Sequence, residues 1–288
     1  MCPPAADYLC VAGSHNLRDE FALAQQRRGV LPSSISKRDS CLRLFADWLE
    51  PDITDATSDQ IDRFLDSRTG RNGGPISDRT RYAWISHLHA FYTWAIRHGH
   101  TDADPTLTID RPRLRQTVPR PISEHDLTHA IRNADRTMKA WLTLMAFAGL
   151  RCAEVAGLVR DDLIDHESLI RVVGKGRKER LVPLHPCVES AVRSAGLPRQ
   201  GRIFTHDDGT PWTPSQVSRA VRSHLDNLGI DASAHQLRHR FGTRAYEASK
   251  DIRVVSELMG HSSITTTQGY VAWSQTEARS AVAGLPLA

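Results

Sequence analysis

Long hydrophobic runs are missing from this chain. The longest largely apolar stretch, residues 141–150, is about half of the roughly 20 residues that a membrane span requires. It reads as a buried helix, and no membrane partner is expected. Cysteine is also sparse, with five residues at Cys2, Cys10, Cys41, Cys152 and Cys187. None pairs at the short spacing of a zinc knuckle or a redox motif, so neither a disulfide framework nor a metal site is expected. Unpaired thiols fit a reducing compartment. The start, Met1-Cys2-Pro3-Pro4, lacks the positive charge and apolar core of an export signal, and a cytoplasmic location is the expectation. Charge of one sign is not in large excess either. A formal net charge of +4 is too small to point to nucleic acid by itself.

What is present is a globular composition, 40% apolar and 24% charged over 288 residues, long enough for one large domain or two ordinary ones. Charge is unevenly placed. Residues 1–110 carry 12 Lys and Arg against 15 Asp and Glu, whereas residues 111–288 carry 25 against 18. A phosphate-handling site belongs in the basic half.

The first third reads as a small helical bundle. Ser33-Ser34 before Ile35, Cys41, Leu42, Phe45 and Leu49 predicts a capped helix near 34–49. Thr57-Ser58 opens a shorter one that ends before Gly70, and Ser77 opens a long one closing at His98-Gly99. A weaker helix is expected over 17–28. The aromatic stripe Tyr82, Trp84, Phe91, Tyr92 and Trp94 is assigned to core packing.

Next comes a proline-rich segment with Pro105, Pro112, Pro119 and Pro121, interleaved with Arg111, Arg113, Arg115 and Arg120. Proline keeps it extended, and its arginines are candidate phosphate contacts. The expected organisation is a tail at 1–14, a helical domain at 15–108, a basic linker at 109–121 and a second domain with its tail at 122–288. In the second domain Ser123 caps a helix, and another covers 138–149. Two apolar runs flanking Gly174-Lys175-Gly176-Arg177-Lys178-Glu179 predict a β-hairpin, and helices follow at 186–195, 214–228, 236–248 and 252–259. The fold class is therefore mainly α with a small antiparallel β element.

Five local clusters carry chemistry. Arg151 and Glu154 stand three apart at a helix start, and Lys175 lies on the hairpin tip. His235-Gln236-Leu237-Arg238 puts histidine and arginine on one helix face. Leu258-Met259-Gly260-His261-Ser262 and Thr266-Thr267-Gln268-Gly269-Tyr270 follow. Singly, each has an ordinary explanation, such as a surface ion pair, a solvated turn, a helix cap or a half-buried ring.

In this order they resemble the tyrosine recombinases, the family of phage integrases and bacterial Xer recombinases. The resemblance spans about residues 18–275, and its most specific parts are H-x-x-R at 235–238, L-M-G-H-S-S-I-T-T-T-Q-G-Y at 258–270 and G-K-G-R-K-E-R-L-V-P-L at 174–184. It implies a SAM-like helical core-binding domain joined by the basic linker to a catalytic domain, the two forming a clamp around duplex DNA. It also implies a compact form without a separate arm-site-binding domain. Cys152, Ser249 and Gly269 depart from the residues usual at their positions, though none is a named catalytic position.

The resemblance assigns Tyr270 as the nucleophile that forms a 3′-phosphotyrosyl link and frees a 5′-hydroxyl. Arg151 and Arg238 would clamp the phosphate, suited by a planar fork that stays charged, and His261 would add a hydrogen bond. His235 would assist proton removal from Tyr270, Lys175 would protonate the leaving oxygen, and Glu154 would orient a basic neighbour. Arg177 and Lys178 are further candidate DNA contacts. The resemblance implies neither metal nor cofactor. Its implied partners are double-stranded recombination sites and, on synapsed DNA, three further copies of the chain passing through a Holliday junction. A monomer is expected in solution, with accessory factors left open. The expected role is integration and excision of a phage or mobile element in a bacterial host, associated with the nucleoid. The alternatives are Xer-type resolution of chromosome dimers, a DNA-binding relative without catalysis, and a relaxing topoisomerase.

Overall fold

The computed structural model describes residues 12–49, 52–70, 73–114, 120–174 and 179–260. The chain divides into two compact units, Met1–Gln116 and Thr117–Ala288. Among the described residues no helix is long and apolar enough to cross a membrane.

The first unit holds helices α1 (Ala12–Arg27), α2 (Pro32–Ala46), α3 (Ser58–Asp66) and α4 (Asp78–Arg97). Local chemistry sets their starts. Thr57 and Gln60 form a reciprocal capping box on α3, and the Ser77 hydroxyl accepts from the Thr80 N–H on α4. Helix α2 departs from the sequence expectation. It begins at Pro32, with Leu31 in the capping position and no side-chain cap. Proline already holds the helical φ at the first position, so Ser33 and Ser34 fall inside the first turn. Helix α1 likewise starts five residues before the expected 17.

The helices close over Phe45, Phe64, Leu88, Phe91 and Tyr92, all fully buried. Phe45 and Phe64 meet at 5.0 Å between ring centroids, and the buried Tyr92 hydroxyl donates to the Ile53 carbonyl at 2.6 Å. Of the aromatic stripe of α4, Phe91, Tyr92 and Trp94 are core, Trp84 is half-buried against them, and Tyr82 is exposed. A turn at Pro105–Thr108 is capped by Asp104, and the chain then runs without regular structure through the exposed Arg111 and Arg113.

The second unit contains α5 (Glu124–Arg132), α6 (Arg136–Phe147), α7 (Cys152–Gly157), strands β1 (Leu163–Ile164), β2 (Leu169–Val173) and β3 (Glu179–Pro183), and helices α8 (Pro186–Ser194), α9 (Pro214–Asn227), α10 (Ala234–Ser249) and α11 (Ile252–Met259). The hairpin is the one expected. A two-residue strand, β1, extends it to a three-stranded antiparallel sheet in the order β1-β2-β3.

Helix α6 is the hub of this unit. It packs against α5, α7, α8, α9 and α10, and residues Ala140–Ala146 are all buried. A helix apolar on every face is stable only where neighbours surround it. Its end sets up the site. Gly149 takes the left-handed φ of +67°, and the Leu150 N–H folds back onto the Leu144 carbonyl at 3.2 Å. A β-carbon on Gly149 would sit 2.3 Å from Cδ1 of Phe241 on α10. Glycine is required there both for the turn and for the approach of α10.

Candidate active site

The turn at Gly149 delivers Arg151 to the capping position of α7 and Glu154 to its first turn. The Glu154 carboxylate reaches back, Oε2 accepting from the Arg151 backbone N–H and Oε1 from Arg151 Nη1, each at 2.8 Å. Helix α10 brings Arg238, only 2% exposed, which donates to the Gly149 carbonyl and, from its other amine, to the Met259 carbonyl. Its Nη1 lies 3.8 Å from Glu154 Oε2.

A third arginine was not foreseen. Arg180 on β3 donates Nη1 and Nη2 to the two oxygens of Glu154, both at 2.9 Å, and Nε to the Leu258 carbonyl at 2.8 Å. One carboxylate therefore stands among three guanidinium groups from three elements. Glu154 is 4% exposed at its side chain, Arg180 8% and Arg151 40%. Paired, hydrogen-bonded burial is the condition under which such charges are tolerated.

The same arginines finish helix α11. The last carbonyls of a helix have no partner inside it. Here Leu258 serves Arg180, Met259 serves Arg238, and the carbonyl of Gly260 lies 3.4 Å from Arg151 Nη2. Cations at a helix C-terminus also meet the negative end of its dipole. Gly260 closes the helix in the left-handed conformation, φ +59°, immediately before His261.

The electrostatics favour a charged cluster. Burial is the largest single influence on Glu154 and would raise its pKa. The hydrogen bonds and charge of Arg180, the Arg151 backbone N–H and the charge of Arg238 outweigh it and hold the group below the ordinary glutamate value. His235, one turn before Arg238 on α10, is solvent-exposed at its surface and lies 4.1 Å from His239 between ring centroids. The protein packed around it, together with the charges of Arg238 and Arg151, lowers its pKa below the ordinary histidine value, which favours the neutral ring at pH 7.

Of the residues expected from sequence, Arg151, Glu154 and Arg238 come together, with His235 on the adjoining turn of α10. Arg111, Arg113 and Arg120 are exposed, and the Arg111 guanidinium lies 5.9 Å from the ring centre of Tyr82. Arg115, Lys175, Arg177, Lys178, His261 and Tyr270 lie outside the described residues. Among the described residues no group of His, Cys, Asp and Glu is arranged to hold a metal ion.

Known proteins resemble this chain in sequence and in fold. The pattern of the phage integrase family matches residues 120–277. The tyrosine recombinase XerD of Pseudomonas putida is 31% identical over 279 residues, covering 89% of this chain and 92% of that one. XerD of Lacticaseibacillus casei is 36% identical over 203 residues, covering 65% of this chain and 69% of its own. In fold, the chain resembles a lambda integrase dimer bound to a COC′ core site, with a TM-score of 0.71 at 18% identity over 90% of this chain and 79% of that one. A family pattern spanning more than half of the chain, joined to a relative 31% identical over 89% of this chain, decides the matter. The chain belongs to the phage integrase family, the tyrosine recombinases, and is an enzyme of site-specific recombination that cuts and rejoins DNA.

Proposed function

We propose that this recombinase attacks its DNA through Tyr270. The phenolate oxygen displaces the 5′-oxygen at the scissile phosphorus, leaving a 3′-phosphotyrosyl link and a 5′-hydroxyl. Arg151 and Arg238 hold the non-bridging oxygens, where paired N–H donors and permanent charge stabilise the developing charge, and His261 donates to the same oxygens. His235 accepts the tyrosine proton, and Lys175 gives a proton to the leaving oxygen. The observation that carries this reading is the Glu154-centred cluster. It joins Arg151 and Arg238, 87 positions apart in the chain, at the end of the helix that leads into His261 and Tyr270.

The partner is duplex DNA, held by residues 15–108 and 122–288 on either side of the arginine-bearing linker 109–121. Arg111, Arg113, Arg115, Arg120, Arg177 and Lys178 make phosphate contacts. A solved relative is a lambda integrase tetramer bound to a Holliday junction. By analogy, four copies of this chain act on two sites through such a junction, assembling from monomers in the cytoplasm, at the nucleoid. The biological role is integration and excision of a mobile element. A second reading, resolution of chromosome dimers, is favoured by the near full-length likeness to the P. putida XerD.

The test is covalent capture. Wild type and Tyr270→Phe are incubated with nicked, fragmented host and element DNA, and the DNA retained after detergent is sequenced. Recurrent sequences attached only to wild type are the expected result, and they name the site and its role together. Adducts on the Phe variant would transfer the nucleophile to another residue.

A further inference from the structure

We propose that Arg180 is a positioning residue of the phosphate site. By gripping both oxygens of Glu154, it keeps that carboxylate from cancelling the charge that Arg151 and Arg238 present to DNA. The inference rests on the reading that those two arginines hold the scissile phosphate.

The geometry separates Arg180 from the arginines that would touch DNA. Its side chain is 8% exposed, and Nε, Nη1 and Nη2 are all engaged, at 2.8, 2.9 and 2.9 Å, by the Leu258 carbonyl and Glu154. A buried guanidinium so occupied acts through its neighbours. Room for it is provided on purpose-built backbone. A β-carbon on Gly260 would stand 3.0 Å from Arg180 Nη1 and 3.1 Å from its Cδ, so a side chain there would press on the arginine.

The role follows from charge and reach. Glu154 already accepts from the Arg151 N–H and Nη1 at 2.8 Å, and Arg238 Nη1 waits 3.8 Å from Oε2. A paired fork from Arg180 fixes the carboxylate plane between them. Without Arg180 the carboxylate loses its strongest partner and can turn more fully onto Arg238. The surplus of positive charge then falls by one, and what is left is more completely neutralised. Arg180 also joins β3 to the last turn of α11, so the strand that follows Lys175 in the chain and the helix that precedes His261 share one anchor.

The experiment uses the full chain as wild type, Arg180→Met, Arg180→Lys, Glu154→Gln and Arg180→Met with Glu154→Gln. The substrate is a nicked duplex carrying the captured site, with either a normal phosphate or a methylphosphonate at the scissile position. A methylphosphonate carries no charge and asks less of the cationic clamp. Arg180→Met is expected to slow single-turnover adduct formation about 100-fold on phosphate and under about 10-fold on methylphosphonate, the scale of losing one transition-state contact. Arg180→Lys, which keeps the charge but not the fork, falls between, and adding Glu154→Gln recovers part of the Arg180→Met loss. An equal loss on both substrates means that Arg180 only supports the fold, and overturns the inference.

A second readout does not depend on catalysis. In protein labelled at glutamate carboxyl carbons, with Glu154→Gln as the assignment control, Arg180→Met is expected to move the Glu154 titration upward. An unmoved titration overturns the inference even if cleavage slows. A moved titration in a wild-type protein that forms no Tyr270 adduct would instead overturn the reading of the site itself.

Discussion

Two glutamates in this enzyme make nearly the same bonds in different surroundings. Glu124, at the first position of α5, receives Arg240 Nε and Nη2 at 3.0 and 2.9 Å and Arg244 Nε at 3.0 Å. Glu154, in the first turn of α7, receives Arg180 at 2.9 Å twice and Arg151 Nη1 at 2.8 Å. Both carboxyls are held below the ordinary glutamate pKa, Glu124 chiefly by its hydrogen bond to Arg240. Exposure separates them: the Glu124 side chain is 49% exposed and that of Glu154 4%. Water can take over the partners of the first. At the second, losing one ion strands the others in a poorly solvated interior. Bond lengths alone would have ranked the two sites together.

The largest effect that tests this contrast is Glu154→Ala. Breaking a buried ionic cluster from one side costs about 3–5 kcal/mol, since Arg180 and Arg238 keep their charge without a counter-ion. Urea midpoints read at constant slope should show it. A loss under about 1 kcal/mol would mean that water reaches the cluster, and the contrast with Glu124 would collapse.

Gly149→Ala probes the same cluster through backbone. The substitution forces alanine into a left-handed φ and sets its β-carbon against the Phe241 ring. A cost of about 2–3 kcal/mol is expected from strain and displacement together. Thermal melting measures it, and Phe241→Leu in the same chain should return part of the loss if the clash is real. Additive losses would place the strain in the turn alone. Because the Gly149 carbonyl accepts from Arg238, adduct formation should fall with stability.

The contrast also indicates what could be read from the sequence. Periodicity and caps locate α3 and α4, because Thr57 and Ser77 act locally on their own N-termini, and the helices after the hairpin lie close to the bounds expected. Helix α2 began elsewhere because Pro32 set its start before either serine could. Arg151, Glu154 and Arg238 stood out within the motifs that contain them. Arg180 did not, although it lies inside a motif that had been singled out. In Glu179-Arg180-Leu181-Val182-Pro183 both phases of the strand carry an apolar residue, so alternation cannot say which face is buried. The structure buries Val182 and turns Leu181 out at 52% exposure, which puts Arg180 on the inner face. Its partners at 154 and 258 are far along the chain, and no local rule brings them together. Strand β1 escaped for a simpler reason, since two residues hold no period.

Acid should separate the glutamates next. Each carboxyl has a folded pKa below its unfolded one. Each therefore contributes stability that is fully present above the unfolded value, about 4.3, and is lost as pH falls through the folded value. Stability of Glu154→Gln and of Glu124→Gln should each depend less on pH than wild type below about pH 4.3, the Glu124 difference being the smaller because water screens its exposed ion pairs. Denaturant midpoints between pH 3 and 6 would measure both slopes. Matching slopes for the two variants would deny that burial makes the difference.

The smallest effect is Glu124→Ala, which should cost under about 1 kcal/mol, as exposed ion pairs do. Much of that should vanish at ~1 M salt, where screening reaches only about 3 Å. Arg240 is the reason that the loss stays small. Its side chain is 12% exposed, so removing Glu124 could in principle strand it as removing Glu154 strands Arg180. Arg240 has other support, though. It donates Nη1 to the Ala146 carbonyl at 2.9 Å and lies 4.4 Å from the centre of the Phe147 ring, a cation–π arrangement that survives the substitution. Arg180 has one neutral carbonyl besides the carboxylate. If Glu124→Ala and Glu154→Ala cost the same in urea, then the support left to the stranded arginine does not matter, and what the two sites share is a bidentate bond whose worth is independent of its surroundings.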